Sequence, residues 1–406
     1  MVRLPGVEGT AHRWASPGEL VAYALPPGFH WLEILAAHAH SGASFMPVDV
    51  RLSDREQERL IGLARPAVVV RPHEETILAD AASVDPERAW AIVPTSGTGG
   101  APRLAQLSRA ALGAAVAGSL DALDASAYDP WVACLSPAHI GGLLVLLRGA
   151  FTGSRVTILE RFEPGTLLAE APDGAHVSLV PTMLERLVRG GGDLTRLGTL
   201  LIGGAAIDPE LRAAAEVLGG RIVATYGSTE SGGGVVYDGR VFEGSQLRIA
   251  GDQQEEPGAI ELRGPTIMDG YRADPAATAG AFTADGWLRT GDIGRLDAAG
   301  RLTVRGRADD AIRTGAETVW PDEVEAVLRT HRAVADVAVA GRPDPEWGEH
   351  VTAWVVPVNP QDPPSLEQLR EHCRDDLARY KAPRDLRVVT ALPRTPSGKV
   401  RRAGLS

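Results

Sequence analysis

Lysine is rare in this chain of 406 residues, and both copies lie near the C-terminal end. They are Lys381, in Tyr-Lys-Ala-Pro, and Lys399, in Pro-Ser-Gly-Lys. Because arginine supplies the positive charge elsewhere, a retained lysine indicates a position that needs a compact ammonium rather than a planar guanidinium. Taken alone, the pair could equally be two solvated surface residues.

A segment rich in Gly and Thr, Pro94–Arg103, predicts a phosphate-binding loop. It follows an apolar strand, and we expect it to precede a helix. Small residues let the backbone approach phosphates closely, and the hydroxyls of Thr95, Ser96 and Thr98 can donate to phosphate oxygens. The segment lacks the Gly-Lys-Ser/Thr of a Walker loop, and a flexible surface turn is the alternative interpretation.

Two further segments carry carboxylates among glycines. In Ala224–Gly234, Glu230 could hold Mg²⁺ through its oxygens, and Tyr226 could stack on a base. The alternative is a glutamate that caps a helix start. In Gly286–Ile293, Asp292 is suited to bind two vicinal ribose hydroxyls, although taken alone it is better interpreted as a turn residue.

Composition excludes several classes of protein. A net charge of −11 argues against a broad basic surface for nucleic acid. No apolar run approaches the roughly 20 residues that span a membrane, and the N-terminus shows no apolar core of a signal peptide. Cys134 and Cys373 have no metal-ligand spacing, so we expect free thiols in a reducing cytoplasm.

The elements that must position these residues alternate as strand, loop and helix from about residue 88 to 227. This pattern is typical of an α/β fold with a mainly parallel sheet covered by helices, and its ligand-binding loops lie at the carboxyl ends of the strands. The predicted strands are Ala89–Pro94, Trp131–Leu135, Val156–Leu159, Val177–Val180, Leu200–Ile202 and Ile222–Ala224.

The pattern changes after residue 235. Short strands separated by Gly, Asp and Pro predict a small β subdomain up to about residue 305. A small α+β domain follows, with a helix from Pro321 to Leu328, paired strands at Val334–Ala340 and Val351–Val358, and a helix at Leu366–Leu377. We therefore predict two domains, residues 1–307 and 308–406; no linker of low complexity marks the boundary, which rests partly on the family that the motifs resemble.

Taken together and in this order, the motifs resemble those of the acyl-adenylate-forming superfamily of acyl-CoA synthetases, adenylation domains and luciferases. Besides the segments above, the matches include Gly306–Ile312 and Gly315–Glu325. They run from about Trp31 to the C-terminus. The resemblance implies a large N-terminal domain joined by a hinge to a small mobile C-terminal domain.

Four segments are similar to one branch, the o-succinylbenzoate–CoA ligases of menaquinone biosynthesis. They are Pro137–Gly142, Val177–Leu187, Leu200–Ile207 and Val236–Gly239. This resemblance implies a cytoplasmic ligase that joins its acid to AMP and then transfers it to coenzyme A. Its substrates would be ATP, coenzyme A and a small carboxylic acid, with Mg²⁺ as metal and no nucleic acid or membrane insertion. A homo-oligomer stays open.

The resemblance also implies roles for individual residues. Lys399, Glu230 and His139 would be catalytic, with Glu230 and Thr98 holding Mg²⁺. Asp309 would be the hinge, and Gly315 would lie on the coenzyme A path. The acid would meet His139, Arg186, Gly141, Gly142 and Ser228. The ATP site would contain Thr95, Ser96, Gly97, Thr98, Gly99, Gly100, Gly203, Gly204, Ala205, Ala206, Tyr226, Gly227, Ser228, Thr229, Asp292 and Arg307.

Two other functions stay open at this point. One is an adenylating ligase for another aromatic acid, with a carrier protein or an amine as acceptor. The other is a catalytically silent nucleotide-binding protein, although the presence of Glu230, Asp292, Arg307 and Lys399 argues against it. His139 could instead be a core histidine, and Arg186 an exposed helix arginine.

Overall fold

The chain divides into two compact units in a computed structural model that describes residues 15–95, 102–251, 257–315, 317–394 and 400–405. The first unit runs to Arg248 and includes Glu261–Thr290, and the second contains Ile249–Ile260 and the residues from Gly291 onward. The chain thus passes from one unit to the other after Arg248, after Ile260 and after Thr290. The sequence predicted a domain boundary at residues 307/308, where a mobile C-terminal domain would begin. That boundary stays a prediction.

The described residues contain ten α-helices, and several have the N-terminal signals that their sequences suggest. Ser53 and Glu56 form a capping box, Asp208 accepts the N–H groups of Glu210 and Leu211, and Pro321 occupies the first turn of its helix. The helices are α1 His30–Ser41, α2 Asp54–Ala64, α3 Arg109–Ala122, α4 Ile140–Thr152, α5 Pro164–Glu170, α6 Pro181–Arg189, α7 Pro209–Val217, α8 Pro275–Ala281, α9 Pro321–Arg329 and α10 Leu366–His372.

The strands are numbered along the chain. They are β1 Leu20–Tyr23, β2 Ser44–Pro47, β3 Val68–Arg71, β4 Glu74–Ile77, β5 Ala91–Thr95, β6 Arg103–Leu107, β7 Trp131–Ala133, β8 Val156–Ile158, β9 His176–Leu179, β10 Thr199–Ile202, β11 Arg221–Ser228, β12 Gly233–Tyr237, β13 Arg240–Val241, β14 Gln246–Ile249, β15 Gly258–Arg263, β16 Gly270–Tyr271, β17 Leu288–Leu296, β18 Leu302–Arg307, β19 Ile312–Thr314, β20 Glu317–Val319, β21 Val334–Asp344, β22 Gly348–Pro357 and β23 Asp385–Val388.

The first unit contains two seven-stranded sheets. One has the order β16-β6-β5-β2-β1-β3-β4, and the other has the order β13-β12-β11-β10-β9-β7-β8. The inner strands β1, β2, β9 and β10 are buried along their whole length, as expected for parallel strands covered on both faces. The predicted α/β class is therefore confirmed, and each sheet has its own apolar core.

The sequence prediction is wrong at two junctions of these sheets. The phosphate-loop segment leads into strand β6, which pairs antiparallel with β5, and α3 begins only at Arg109. Likewise, β11 is followed by the antiparallel strand β12 and not by a helix. Both loops therefore join two strands, so neither lies at a helix N-terminus.

The predicted β-rich region contains strands β14, β15, β17 and β18, which make one four-stranded sheet. The paired strands predicted near the C-terminus are also present, as β21 and β22 in antiparallel register. They form a five-stranded sheet with β19, β20 and β23, packed against the apolar face of α9. The second predicted helix of this region, α10, is shorter than expected and ends at His372.

Within the described ranges, no helix is both long and apolar enough to span a bilayer. Both cysteines are buried and unpaired with one another. Burial raises the pKa of the Cys134 thiol to about 12 and that of Cys373 to about 11. Neither thiol is therefore activated as a nucleophile.

Candidate active site

The second sheet brings several predicted site residues to one edge. Strands β7, β9, β10 and β11 are parallel neighbours, so the segments that follow them leave the same edge of the sheet. His139 lies after β7, Gly203–Ala206 follows β10, and Tyr226 lies in the last part of β11. This edge is therefore the candidate ligand site of the first unit.

The Gly203–Ala206 segment exposes backbone at that edge. The N–H of Gly203 donates to the carbonyl of Leu179 at 3.1 Å, which holds the start of the segment against β9. Gly204 has a φ of +87°, a conformation that favours glycine. Gly204, Ala205 and Ala206 are exposed, so a flat ligand can approach the backbone closely here.

The turn between β11 and β12 is held by the buried hydroxyl of Ser231. It accepts the N–H of Ser228 at 2.8 Å and donates to the carbonyl of Gly233 at 2.8 Å. A Cβ on Gly227 would lie 1.9 Å from that same carbonyl oxygen, so only glycine fits at this position. The predicted ligand contacts Tyr226, Gly227, Ser228 and Thr229 thus belong to one hairpin.

Glu230 lies in this hairpin turn and not at a helix start, so the alternative of a capping glutamate is wrong. Its Oε1 accepts the hydroxyl of Tyr271 at 3.0 Å, and its carbonyl accepts the N–H of Met268 at 2.8 Å. Burial, together with the neighbouring Glu230 carboxylate, raises the pKa of Tyr271 well above its ordinary value. The guanidinium of Arg103 lies over the Tyr271 ring, 5.3 Å from its centroid.

The phosphate-loop segment is described only at its two ends. Thr95, at the end of β5, is paired with Arg103 at the start of β6, and Thr95 is buried. The remaining predicted phosphate contacts, Ser96, Gly97, Thr98, Gly99 and Gly100, lie outside the described residues, so their roles stay predictions.

His139 is the N-cap residue of α4 and contacts two charged residues from a distant part of the sequence. Its Nε2 lies 3.1 Å from Oδ2 of Asp49 and 3.3 Å from Nη2 of Arg51. The side chain of Asp49 is only 5% exposed, whereas those of His139 and Arg51 are 42% and 47% exposed. The histidine is therefore a half-exposed ring held from behind by a buried carboxylate.

Arg51 surrounds the Asp49 carboxylate with donors. Its backbone N–H and its Nε reach Oδ1 at 3.0 Å and 2.9 Å, and its Nη2 reaches Oδ2 at 2.7 Å. Burial would raise the pKa of Asp49, but the hydrogen bonds from His139 and Arg51 outweigh it and hold that pKa well below its ordinary value. Asp49 is thus a carboxylate throughout the range in which the protein would work.

The glycines after His139 have different environments. A Cβ on Gly142 would meet the carbonyl oxygen of Ser136 at 2.2 Å, so packing alone requires glycine there. A Cβ on Gly141 would meet only a side-chain atom of Leu135 at 3.6 Å, which is ordinary contact. Packing therefore explains the glycine at position 142 independently of its predicted contact with the acid.

Arg186 lies on the exposed face of α6. Its guanidinium stacks on Phe162, 5.1 Å from the ring centroid. Within the described part of the chain, no hydrogen bond or ion pair joins Arg186 to His139. The acid-binding role predicted for Arg186 stays a prediction.

In the second unit, Asp292 on β17 and Arg307 on β18 face each other across an antiparallel pair. Nη1 of Arg307 donates to Oδ1 of Asp292 at 3.0 Å. Gly291 has a φ of +76°, which favours glycine, and a Cβ there would lie 2.7 Å from Nη2 at the flexible end of the Arg307 side chain. The structure thus brings together two residues that were predicted for the same ribose contact.

The predicted hinge residue Asp309 lies in a single 3₁₀ turn, Ala308–Asp310, directly after β18. Gly315, the residue predicted for the coenzyme A path, has a φ of +64° and its N–H donates to the carbonyl of Trp347 at 2.7 Å. A Cβ there would approach the Trp347 ring at 3.1 Å. The tight packing is consistent with glycine as a structural requirement.

Lys399 lies outside the described residues. Its flanks are described: Arg394 and Val400 form an antiparallel bridge, and Arg402 donates to the buried carboxylate of Glu325 at 2.7 Å. The ends of the segment that carries Lys399 are therefore attached to the second unit.

Magnesium was predicted at Glu230 and Thr98. Among the described residues there is no group of three or more His, Cys, Asp or Glu side chains that could hold a metal. A single carboxylate such as Glu230 nevertheless fits Mg²⁺, which commonly uses one or two protein carboxylates together with phosphate oxygens and water.

Sequence reasoning missed three residues of these sites, namely Asp49, Arg51 and Tyr271. Asp49 and Arg51 follow strand β2 in Pro-Val-Asp-Val-Arg, which resembles an ordinary turn before a helix. Only their position at a strand end could have indicated a site, because the contact with His139 joins residues 90 positions apart. Tyr271 gives no local signal at all.

Comparison with known proteins agrees with this architecture. Residues 75–272 match the family model described as AMP-binding enzyme, and residues 323–399 match the AMP-binding enzyme C-terminal domain. A Mycobacterium tuberculosis protein named "Probable 2-succinylbenzoate--CoA ligase" is 38% identical over 365 residues, which is 86% of this chain and 92% of that protein. The 2-succinylbenzoate–CoA ligase of Listeria monocytogenes is 34% identical over 78% of this chain and 70% of its own length.

Among solved structures, the o-succinylbenzoate CoA synthetase from Bacillus subtilis, in complex with the acyl-adenylate intermediate OSB-AMP, superposes with a TM-score of 0.86. The two sequences are 25% identical, and the superposition covers 96% of this chain and 88% of the Bacillus subtilis chain. These similarities extend over both compact units. The chain belongs to the AMP-binding enzyme family, within the acyl-adenylate-forming superfamily.

Proposed function

We propose that the protein is an AMP-forming acid–CoA ligase whose acid is o-succinylbenzoate, in menaquinone biosynthesis. The observation that carries this proposal is the 38% identity to the Mycobacterium tuberculosis relative, over 92% of that protein's length. Acid specificity can change with a few pocket residues, so the acid is the part that an experiment must establish.

The proposed reaction has two steps. First, a carboxylate oxygen of the acid attacks the α-phosphorus of ATP, the bond to the β-phosphate breaks, and pyrophosphate leaves with an acyl-adenylate remaining. Then the sulfur of coenzyme A attacks the acyl carbon, the bond to AMP breaks, and the thioester forms. The thiol proton leaves with solvent, and AMP is released.

The ATP site would be made of backbone and a few polar groups. Gly203–Ala206 and Tyr226 would line the adenine, because this segment exposes backbone after β10, next to the strand β11 that carries Tyr226. Asp292 would accept the ribose hydroxyls, with Arg307 holding its carboxylate in place through the bond at 3.0 Å. Thr95 and the five residues after it would contact the phosphates.

Glu230 and Thr98 would hold Mg²⁺ when ATP is present, and the ion would offset charge on the phosphates. The chain's own contribution is to fix Glu230. The Tyr271 hydroxyl donates to one carboxylate oxygen and leaves the other for a ligand. A carboxylate oriented in this way loses little freedom when it binds a cation.

Lys399 would place its ammonium between the acid carboxylate and the nucleotide as negative charge builds at the α-phosphate. Electrostatic stabilisation of this kind commonly lowers a barrier by several kcal/mol. The C-terminal domain, residues 308–406, would then swing about Asp309, remove Lys399 and present Gly315 to the pantetheine arm. Such a step can limit turnover.

The acid would lie against His139, with Gly141, Gly142 and Ser228 beside it, and Arg186 would meet the second carboxylate of the dianion. The contact with the buried Asp49 carboxylate would fix the orientation of the His139 ring before the substrate arrives. We place this reaction in the cytoplasm, where ATP and coenzyme A are available.

The test is pyrophosphate release with ATP and Mg²⁺ over a panel of acids, with and without coenzyme A. The panel contains o-succinylbenzoate, benzoate, salicylate and medium-chain fatty acids. We expect a strong response to o-succinylbenzoate that needs coenzyme A for repeated turnover. A response to another acid would support the adenylation reaction but reject the assignment to menaquinone biosynthesis. Stimulation by an amine or a carrier protein instead of coenzyme A would reject coenzyme A as the acceptor.

A further inference from the structure

The residues Thr266–Arg272 form a bridging segment between the two sheets of the first unit. At its start, the N–H of Met268 donates to the carbonyl of Glu230 at 2.8 Å. A Cβ on Gly232 would lie 2.5 Å from the carbonyl oxygen of Thr266. The start of the bridging segment therefore packs closely against the turn between β11 and β12, which carries Glu230.

The end of the bridging segment pairs with β6, the strand that follows the phosphate-loop segment. The N–H groups of Asp269 and Arg272 donate to the carbonyls of Gln106 and Leu104 at 2.9 Å and 2.8 Å. Between them, β16 pairs antiparallel with β6. The turn that carries Glu230 and the strand that ends the phosphate-loop segment are thus held by the same short stretch of chain.

Tyr271 extends from this segment to the Glu230 carboxylate, and both its backbone and its ring are restrained. Its N–H donates to the hydroxyl oxygen of Thr278, in α8, at 2.8 Å. It lies opposite Ala105 on β6, so its side chain shares a face with that of Arg103, two residues earlier on the same strand. The Arg103 guanidinium covers the ring, 5.3 Å from its centroid.

The Tyr271 hydroxyl donates to Oε1 of Glu230 at 3.0 Å, because a carboxylate oxygen can only accept. Within the described residues, Oε2 of Glu230 has no hydrogen-bond partner. We propose that Tyr271 is a positioning residue for the metal: it holds Oε1 so that Oε2 is the oxygen available to the Mg²⁺ of bound ATP. The inference rests on the proposed function in taking Glu230 as a magnesium ligand.

A glutamate side chain without such a partner loses rotamer freedom when it binds a cation, whereas the bond from Tyr271 restricts it beforehand. The bridging segment also relates the carboxylate to the phosphates. Strand β6 begins at Arg103, which pairs with Thr95 at the other end of the phosphate-loop segment. This arrangement suits Mg²⁺, which is commonly bound between a protein carboxylate and substrate phosphates.

Tyr271→Phe tests the proposal because it removes the hydroxyl and keeps the ring under Arg103. The measurement is the affinity for the α,β-methylene analogue of ATP, which cannot release pyrophosphate, by calorimetry in Mg²⁺ and again in EDTA. We expect the affinity in Mg²⁺ to fall about tenfold, at the low end of the usual effect of losing a partner that orients a metal ligand. The affinity in EDTA should stay unchanged.

A double-mutant cycle separates the hydroxyl from the rest of the site. In the Glu230→Gln background, the carboxylate that Tyr271 would orient is gone, so Tyr271→Phe should lower the affinity in Mg²⁺ no further. An additional loss in that background would show that the hydroxyl acts by another route and would contradict the proposal.

Tyr237→Phe is the matched control from the same hairpin. The Tyr237 hydroxyl donates to the carbonyl of Gly234 at 3.2 Å, so this variant also removes a tyrosine hydroxyl from the region without touching Glu230. We expect it to leave the ratio of the affinities in Mg²⁺ and EDTA as in the wild type.

Three further results would overturn the role of Tyr271: equal losses of affinity in Mg²⁺ and in EDTA, no loss in either, or the same loss specific to Mg²⁺ in Tyr237→Phe. A wild type that binds the analogue no better in Mg²⁺ than in EDTA would instead reject Glu230 as a metal ligand, and with it this part of the proposed function. The wild-type comparison therefore distinguishes the two failures.

Discussion

Lys381 and Lys399 share a residue type but have different environments. Nζ of Lys381 donates to Oε2 of Glu323 at 2.8 Å, and both side chains are mostly buried. Lys381 therefore attaches the segment before β23 to the first turn of α9. This ion pair explains on structural grounds why Lys381 is a lysine. Lys399 is then the lysine proposed to act in adenylation.

We expect Lys399→Ala to lower the rate of adenylation by about 10²- to 10³-fold, the usual effect of removing one electrostatic contact to developing charge. Thioester formation from supplied acyl-adenylate should remain largely intact. The measurement is pyrophosphate release for the first step and thioester yield for the second. Lys381→Ala is the matched control and should alter stability more than either rate. Normal adenylation in Lys399→Ala would refute the assigned role.

The role of Arg186 can be tested with Arg189, on the same helix, as the control. We expect Arg186→Ala to raise the KM for a dicarboxylic acid several-fold more than the KM for ATP, since a guanidinium pairs well with a carboxylate. Arg189→Ala, which removes only an exposed ion pair with Glu185, should change neither constant. Steady-state kinetics with both substrates varied gives the answer, and equal small effects in the two variants would exclude Arg186 from the acid site.

At the scale of elements, the sequence predicted the bounds of strands and helices well where a single apolar pattern specified them. Strands β9 and β10 and helix α9 lie within one or two residues of their predictions because apolar runs and a proline at the helix start specify them. Strand β6 was missed, since Arg-Leu-Ala-Gln-Leu has no strong strand alternation and lies just before a real helix. The contact of Asp49 with His139 depends on two sheets coming together, which no local pattern records.

Helix α1 is attached to β1 by a buried histidine, and this contact predicts how stability depends on pH. Nδ1 of His38 donates to the carbonyl of Ala43 at 3.0 Å, and Nε2 of the neutral ring then accepts the Tyr23 hydroxyl at 2.8 Å. Burial lowers the pKa of His38 to about 4, against the pull of the Ala43 carbonyl.

Between pH 6.5 and 4 the unfolded chain therefore binds a proton at His38 that the folded chain does not. Stability from this residue is fully present above pH 6.5 and is lost as the pH falls, by about 3 kcal/mol in total. Urea unfolding from pH 7 to 4 should show this loss, and His38→Gln should reduce it. His40→Gln, on the exposed side of the same helix, should behave as wild type; an equal reduction in that variant would contradict the assignment.

At the scale of the whole molecule, the boundary between the two compact units differs from the boundary of the domain that is predicted to move. The second unit includes Gly291 and the residues after it, whereas the hinge is predicted at Asp309. A swing about Asp309 would carry only part of the second unit, and strands β17 and β18 would stay behind with their Asp292–Arg307 pair. The ribose contact would then be kept through both half-reactions.

Asp309→Pro tests this motion. Proline fixes φ near −65°, a value that a 3₁₀ turn such as Ala308–Asp310 uses, so we expect the fold to survive. One half-reaction should be retained while the other falls at least tenfold. Ala308→Pro, one position earlier, is the control and should leave both rates within a few-fold of wild type. Unchanged rates in Asp309→Pro would place the hinge elsewhere.

The three crossings of the chain between its compact units also limit how this protein can be recombined with its relatives. A single exchange point at Thr290 would join a new C-terminal region to an old segment, Ile249–Ile260, that belongs to the same unit. The resulting chimera would mix parental residues inside one compact unit. Functional hybrids should therefore come from exchanges that replace Ile249–Ile260 and the residues after Thr290 together.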